Sequence, residues 1–275
     1  MSAVRWFRKG AEILALAGIA LMFVFPFLWM TLTALKGMDE VHVFPPTWIP
    51  EQILWENFAQ AWGSGPFLTY FFNSIFVAVA ILVLQIVTGV PAAYAFARYR
   101  FRGSKVLFAL TLIALMIPPQ LTFLPVFIQM SEWDLLNTYL PLILPYAASA
   151  FGIFLLRQAF MQVPEELIEA ARLDKASEWQ IIWTIMLPMA KPVLITFGLF
   201  SFIYHWNDYF WPLVMTNNDA FRTLPLGIAM LKSSEGSIYW NIVMAGNVIL
   251  VLPILLMFFM AQRQIIRAFV YSGVK

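Results

Sequence analysis

The sequence contains no cysteine, which excludes disulfides, thiolate nucleophiles and cysteine-based metal sites. Histidine is nearly as scarce. His42 and His205 are the only two, and neither sits in a metal-spacing motif such as H-E-x-x-H, so no metal site and no membrane-embedded metalloenzyme is expected. No G-x-x-x-x-G-K-[ST] phosphate loop occurs, so the chain is not expected to hydrolyse ATP or to be an enzyme. Charge is sparse too, at 12% of 275 residues. Carboxylates are almost absent from the apolar stretches, where only Asp208 lies deep, and no internal repeat is evident. That weighs against the alternative reading, a secondary solute carrier not driven by ATP, because such carriers usually show repeats or ion-coupling carboxylates.

What is present in quantity is apolar surface. Hydrophobic residues make up 61% of the chain and the mean hydropathy is +0.78, well above soluble domains. The chain is therefore predicted to be an all-α integral membrane protein forming a single transmembrane domain over 1–275. The first apolar run, 13–35, follows Arg5, Arg8 and Lys9 and is long enough at about 1.5 Å per residue to cross about 30 Å of hydrocarbon. It is too long for a signal-peptide core and lacks a small-x-small site, so an uncleaved anchor is expected. Further spans are predicted at about 67–97, 106–130, 139–160, 192–215 and 242–261. Pro118, Pro119 and Pro125 must break or kink the third, and Ala147, Ala148, Ser149, Ala150 and Gly152 permit close helix contact in the fourth. Between the first two spans, Trp48, Trp55 and Trp62 suit a loop near a headgroup layer.

With six spans and the N-terminus inside, fourteen of the seventeen Lys and Arg residues fall in the cytoplasm, including Arg98, Arg100, Arg102, Lys105, Arg157, Arg172, Lys175 and Lys191. Only Lys36, Arg222 and Lys232 fall outside, an asymmetry that obeys the positive-inside rule and puts both termini in the cytoplasm.

The charged island from Pro164 to Pro188 interrupts this apolar background. Pro164 suits a first helical position, and Glu165 and Glu166 place negative charge at the positive end of the helix dipole. Leu167, Ala170, Ala171 and Asp174 then share one side, while Glu165, Glu169 and Arg172 share another. Ser177 with Gln180 has the form of a capping box ahead of a second, apolar helix. Periodicity alone leaves a solvated loop helix open.

Glu169-Ala170-Ala171, then Asp174, Ala176-Ser177 and Leu187-Pro188, resembles the EAA loop of the membrane subunits of binding-protein-dependent ABC importers. The resemblance implies a cytoplasmic coupling helix in a loop over 161–191, between the fourth and fifth spans, seated in a cleft of an ATPase. Its coupling residues would be Glu165, Glu166, Glu169, Ala170, Ala171, Asp174 and Lys175. One departure is Lys175, where the family usually has Gly; lysine in a left-handed turn costs about 1 kcal/mol. Leu115-Met116-Ile117-Pro118-Pro119, the run Trp206 to Leu213, Thr223-Leu224-Pro225, Gln262-Arg263 and Gly273-Val274-Lys275 resemble the carbohydrate-uptake branch, specifically the smaller six-span permease of maltose-type and glycerol-phosphate-type systems.

That likeness implies a homologous second permease, two cytoplasmic ATPase subunits, an extracytoplasmic solute-binding protein and a bacterial inner membrane, with no nucleic-acid partner. ATP and magnesium would be held by the ATPases, and no cofactor by this chain. The loop from Thr216 to Tyr239 would touch the binding protein. Asp208 is expected about 24 Å along a continuous fifth helix from Pro192. With His205, Trp206, Asn207 and Trp211 it could line a solute path, since carboxylates and carboxamides bind sugar hydroxyls and aromatic faces stack on sugar C–H surfaces. An interfacial aromatic belt is the other reading of that cluster. Asn73 and Gln120 are further path candidates, or helix–helix glue.

Overall fold

The computed structural model describes residues 2–231 and 238–271. Lys232 and the tail motif Gly273-Val274-Lys275 lie outside the described residues. The regular elements among the described residues are all helices, without a strand. Three helices, Lys9–Ala34, Phe67–Arg98 and Trp240–Ile266, are each long and apolar enough to cross a membrane. Three bent helix pairs pass the same test, which brings the number of spans to as many as six.

Each bend has a local cause. Ser104–Ala114 and Pro119–Glu132 meet at 94° because Pro119 forces Pro118 into an extended conformation, φ −61° and ψ 133°. Leu140–Tyr146 and Ala150–Met161 meet at 40°. There the Ser149 hydroxyl accepts the Gly152 N–H at 3.1 Å and starts a new helix.

The fifth predicted span differs from expectation. Instead of one helix over 192–215, Lys191–Trp206 stops, three residues intervene, and Phe210–Met215 begins. Pro212 has no N–H to offer the Asp208 carbonyl, and the Asp208 carboxylate takes the Trp211 N–H at 3.1 Å, so the helix restarts. At its other end Lys191–Trp206 is bent by 82° from the preceding helical stretch Glu178–Met189.

The described residues divide into two compact units, one within 1–67 and 227–252, the other within 68–226 and 253–275. In the first, Lys36 is buried with its ammonium 5.1 Å from the Trp29 ring centroid, 4.0 Å from Glu40 and bonded to the Thr47 carbonyl. Asn57 and Asn241 both donate to the Lys36 carbonyl, at 2.9 and 3.2 Å. Buried amides thus tie the segment after the first span to the start of Trp240–Tyr271.

The second unit holds two apolar cores. One gathers Tyr94, Leu156, Phe160, Ile168, Ile181 and Met186. The other gathers Ile81, Met130, Leu142, Ile143, Trp211 and Met215. Gly152 permits a close approach, since a Cβ placed there would stand 2.5 Å from the buried Phe197 ring.

Candidate functional site

The island folds as the local chemistry predicts, with one shift of register. Pro164 is the N-cap (ψ 136°) rather than the first helical residue, and the helix is Glu165–Leu173 with both acids in its first turn. Ile168 is fully buried in the core it shares with Phe160 and Ile181, and Ala171 packs beside it. The predicted face therefore splits. Ala171 turns inward, whereas Leu167, Glu169, Ala170, Leu173 and Asp174 face outward, with Leu173 84% exposed. Glu166 is exposed as well. Glu169 forms no ion pair among the described residues.

At the helix end, Ala176 N–H reaches the Ala171 carbonyl and Lys175 N–H the Arg172 carbonyl, both at 3.0 Å. This is a Schellman closure, and Lys175 occupies its left-handed position at φ 58°. The lysine adopts the turn that glycine would adopt without strain. Lys175→Gly should therefore stabilise the loop by about 1 kcal/mol, read as roughly fivefold slower amide exchange across 171–176. Unchanged exchange would mean that the turn carries no strain. The capping box is also present: Gln180 N–H donates to Ser177 Oγ at 3.3 Å, and Ser177 N–H donates to Gln180 Oε1 at 2.7 Å. A six-residue π-helix, Ile181–Met186, follows.

Two side-chain clusters fasten this loop to one helix end, and sequence reading missed both. The Arg98 guanidinium, at the end of Phe67–Arg98, donates to the Phe160 carbonyl at 2.6 Å, to the Val163 carbonyl and to Glu165 Oε2 at 2.6 Å. Its side chain is 9% exposed. It caps the carbonyl end of Ala150–Met161 and grips the first residue of the next helix. Glu165 is thus held within the chain. On the other side of the loop, Tyr94 donates to Glu178 Oε2 at 2.6 Å and Arg172 to Glu178 Oε1 at 3.2 Å. Burial pushes the Glu178 carboxyl up, but hydrogen bonds from Tyr94, Tyr99 and Arg172 outweigh it and hold the group below its usual value. Such a carboxylate keeps its grip at neutral pH and loses it as pH falls through that lowered value. Since Arg172 and Glu178 are each 42% exposed, their ion pair contributes little, and the Tyr94 bond is the firmer tie.

The path candidates separate into structural and pocket-lining groups. Asn73 accepts from Tyr139 at 2.7 Å and donates to the carbonyls of Ala220 and Arg222 at 2.9 and 2.8 Å, holding a loop. Trp206 is fully buried, stacked on Phe202 at 5.5 Å. Asn207 donates back to the Ile203 carbonyl at 2.8 Å. His205 is buried between Tyr146, 4.7 Å ring to ring, and Gln85, 3.4 Å away. Gln120, Asp208 and Trp211 instead converge on one small cavity of about 80 Å³, joined by Tyr146, Tyr204 and Phe210. Trp211 is fixed there by its indole N–H, which donates to the Pro141 carbonyl at 2.7 Å. Tyr146 and Tyr204 went unnoticed in the sequence because they lie on segments read as apolar spans.

Comparison with known proteins agrees with this geometry. The family described as binding-protein-dependent transport system inner membrane component matches residues 85–270. The arabinooligosaccharides transport system permease protein AraQ of Halalkalibacterium halodurans is 35% identical over 262 residues, covering 94% of each chain. The sn-glycerol-3-phosphate transport system permease protein UgpE of Yersinia enterocolitica is 35% identical over 278 residues, covering 96% of this chain and 98% of the other. In fold, the chain superposes on a subunit of a bacterial ABC transporter involved in import of the acidic polysaccharide alginate, with TM-score 0.82 at 24% identity over 96% of this chain and 98% of that one. A chain of the MetNI methionine ABC transporter gives 0.53 at 18% identity, covering 72% and 93%. An apolar helical chain interrupted by a fastened, outward-facing acidic helix, with such relatives along nearly its whole length, belongs to the family of inner-membrane components of binding-protein-dependent transport systems.

Proposed function

We propose that this chain is the permease subunit of an ATP-driven importer for a carbohydrate or related polyol, forming half of the translocation pathway. It spans the inner membrane six times with both termini in the cytoplasm, the arrangement that the Lys and Arg distribution favours. A homologous permease supplies the other half. Two cytoplasmic ATPase subunits hold the ATP and magnesium, and an extracytoplasmic binding protein delivers solute. Support for the solute class comes from relatives whose names specify arabinooligosaccharide and glycerol-phosphate transport.

The observation that carries the coupling role is the helix Glu165–Leu173. Its inner face is buried through Ile168, while Leu167, Ala170, Leu173 and Glu169 project outward. Three small or apolar positions around an acid form a surface that a basic cleft can close on, with the alanine permitting near contact of backbones. Movement of the ATPases would displace this helix as a rigid body and switch the cavity between inward and outward access.

Substituting Glu169 with lysine tests the reading. ATP-dependent uptake in proteoliposomes of the whole complex should collapse, while the permease remains in the membrane. Because the chain has no cysteine, an Ala170→Cys variant carries a single thiol, which should cross-link to an ATPase subunit. Normal uptake in the lysine variant together with no cross-link would end the coupling role.

A further inference from the structure

We infer that Asn73 is a positioning residue for transport: it fastens the loop 217–224 to the helix Phe67–Arg98, whose other end grips the acidic helix Glu165–Leu173, so that one unbroken helix carries movement between the two. The inference rests on the importer reading, which puts 217–224 outside the membrane and 161–191 inside it.

The outer fastening is built on one side of the helix. Tyr70, Asn73 and Ser74 are three and four residues apart, which places them on a common face, and all three are buried. The Tyr70 hydroxyl donates to Asp219 Oδ1 at 2.9 Å, the Asn73 amide donates to the carbonyls of Ala220 and Arg222 at 2.9 and 2.8 Å, and the Ser74 hydroxyl accepts the Leu224 N–H at 2.8 Å. The stretch 219–224 is therefore held along its length. Asn73 also accepts the Tyr139 hydroxyl at 2.7 Å, and the Tyr139 ring stands edge-on to Phe221 at 5.0 Å. Both donors of the carboxamide and its oxygen are thus engaged.

The same helix holds the inner loop. Tyr94 bonds to Glu178, and Arg98 to Glu165 and to the carbonyls of Phe160 and Val163. From Asn73 to Tyr94 the axis runs about 32 Å at about 1.5 Å per residue, close to the thickness of the hydrocarbon layer. The two fastenings stand one bilayer apart.

Other routes between these loops are jointed. The chain itself joins them through the fifth span, but that route turns by 82° between Met189 and Lys191 and is interrupted between Trp206 and Phe210. The stretch from Leu140 to Met161 bends by 40°, and that from Ser104 to Glu132 by 94°. Phe67–Arg98 continues through Pro91 as one helix of 32 residues. A helix resists bending along its hydrogen-bond ladder and yields where the ladder stops. Displacement of Glu165–Leu173 therefore reaches 217–224 chiefly through Phe67–Arg98. Linkage makes the coupling reciprocal, so an event at 217–224 acts back on the inner loop.

The test uses the complete complex in proteoliposomes and reads amide exchange at 165–173 and 217–224, with and without magnesium ATP trapped by vanadate. In the wild type both stretches should change on trapping. In Asn73→Ala the change at 165–173 should persist, while the nucleotide-dependent ratio of exchange rates at 217–224 should fall from about tenfold toward one. ATP hydrolysis without binding protein should stay at the wild-type level. A merely structural Asn73 would instead raise exchange at 217–224 by the same factor in both nucleotide states and leave the ratio intact, which would overturn the inference. So would a wild-type complex in which 217–224 ignores the nucleotide. If Asn73→Ala cannot be recovered, Tyr139→Phe and Ser74→Ala, which each remove one of these hydrogen bonds, decide by the same ratio. Each of these results leaves ATP-driven transport standing. If no ATPase co-purifies with the wild-type chain, it is the importer reading that has failed.

Discussion

Replacing Arg98 with alanine is expected to unfasten the outward-facing helix and reduce uptake to near background without removing the protein from the membrane. The guanidinium satisfies the carbonyls of Phe160 and Val163 and engages Glu165, from a position with only 9% of its side chain exposed. A charged hydrogen bond is worth about 1.5–3 kcal/mol, and two abandoned carbonyls at a partly buried helix end add desolvation cost. A local destabilisation of about 3 kcal/mol follows. That corresponds to roughly a hundredfold rise in the opening of residues 160–176, which amide exchange would report directly. Lysine in place of Arg98 keeps the charge but not the fork, so it should fall between wild type and alanine. If exchange over 160–176 were unchanged in the alanine variant, the arginine would not be what holds the helix.

The second large effect is expected at Gly152. A methyl group there would meet Phe197 ring atoms at 2.5, 2.7 and 3.1 Å, and Phe197 is 1% exposed. Overpacking of this kind costs about 1–3 kcal/mol, so Gly152→Ala should lower the melting temperature of the purified complex, and Gly152→Leu should prevent its recovery. Gly198 supplies the control. Its added Cβ would find only Leu82 methyls at 3.7 and 3.8 Å, ordinary contact distances, and Gly198→Ala should be close to neutral. Equal melting temperatures for the two alanine variants would show that the helices are not in tight contact at Gly152.

The residues differ in how much they disclose on their own. Pro164, Glu165 and Glu166 announce a helix start, and Ser177 with Gln180 announces the next one, because capping is decided within four residues of chain. Hydropathy likewise found the long helices. The paired prolines at 118 and 119 foretold the sharp bend, since the pre-proline restriction is local. The apolar run predicts a continuous helix through Asp208; its carboxylate takes the N–H of Trp211, the residue directly before Pro212, and that restart is concealed by the propensity of the run. What the chain order hides are partners brought together from afar. Arg98 meets Glu165 from 67 positions away and Tyr94 meets Glu178 from 84. Only the positive-inside pattern drew notice to Arg98, and nothing local drew notice to Tyr94 or Glu178. The cavity is of the same kind, for Gln120, Tyr146 and Asp208 share it without any common sequence signal.

The ties made by Tyr94 and Arg98 bear on how such subunits can be recombined. A graft that moves residues 161–191 into a related permease transfers the acidic helix but leaves behind the tyrosine and arginine that anchor it from 94–98. The transplantable part is therefore discontinuous, and a chimera should regain function only when both segments travel together.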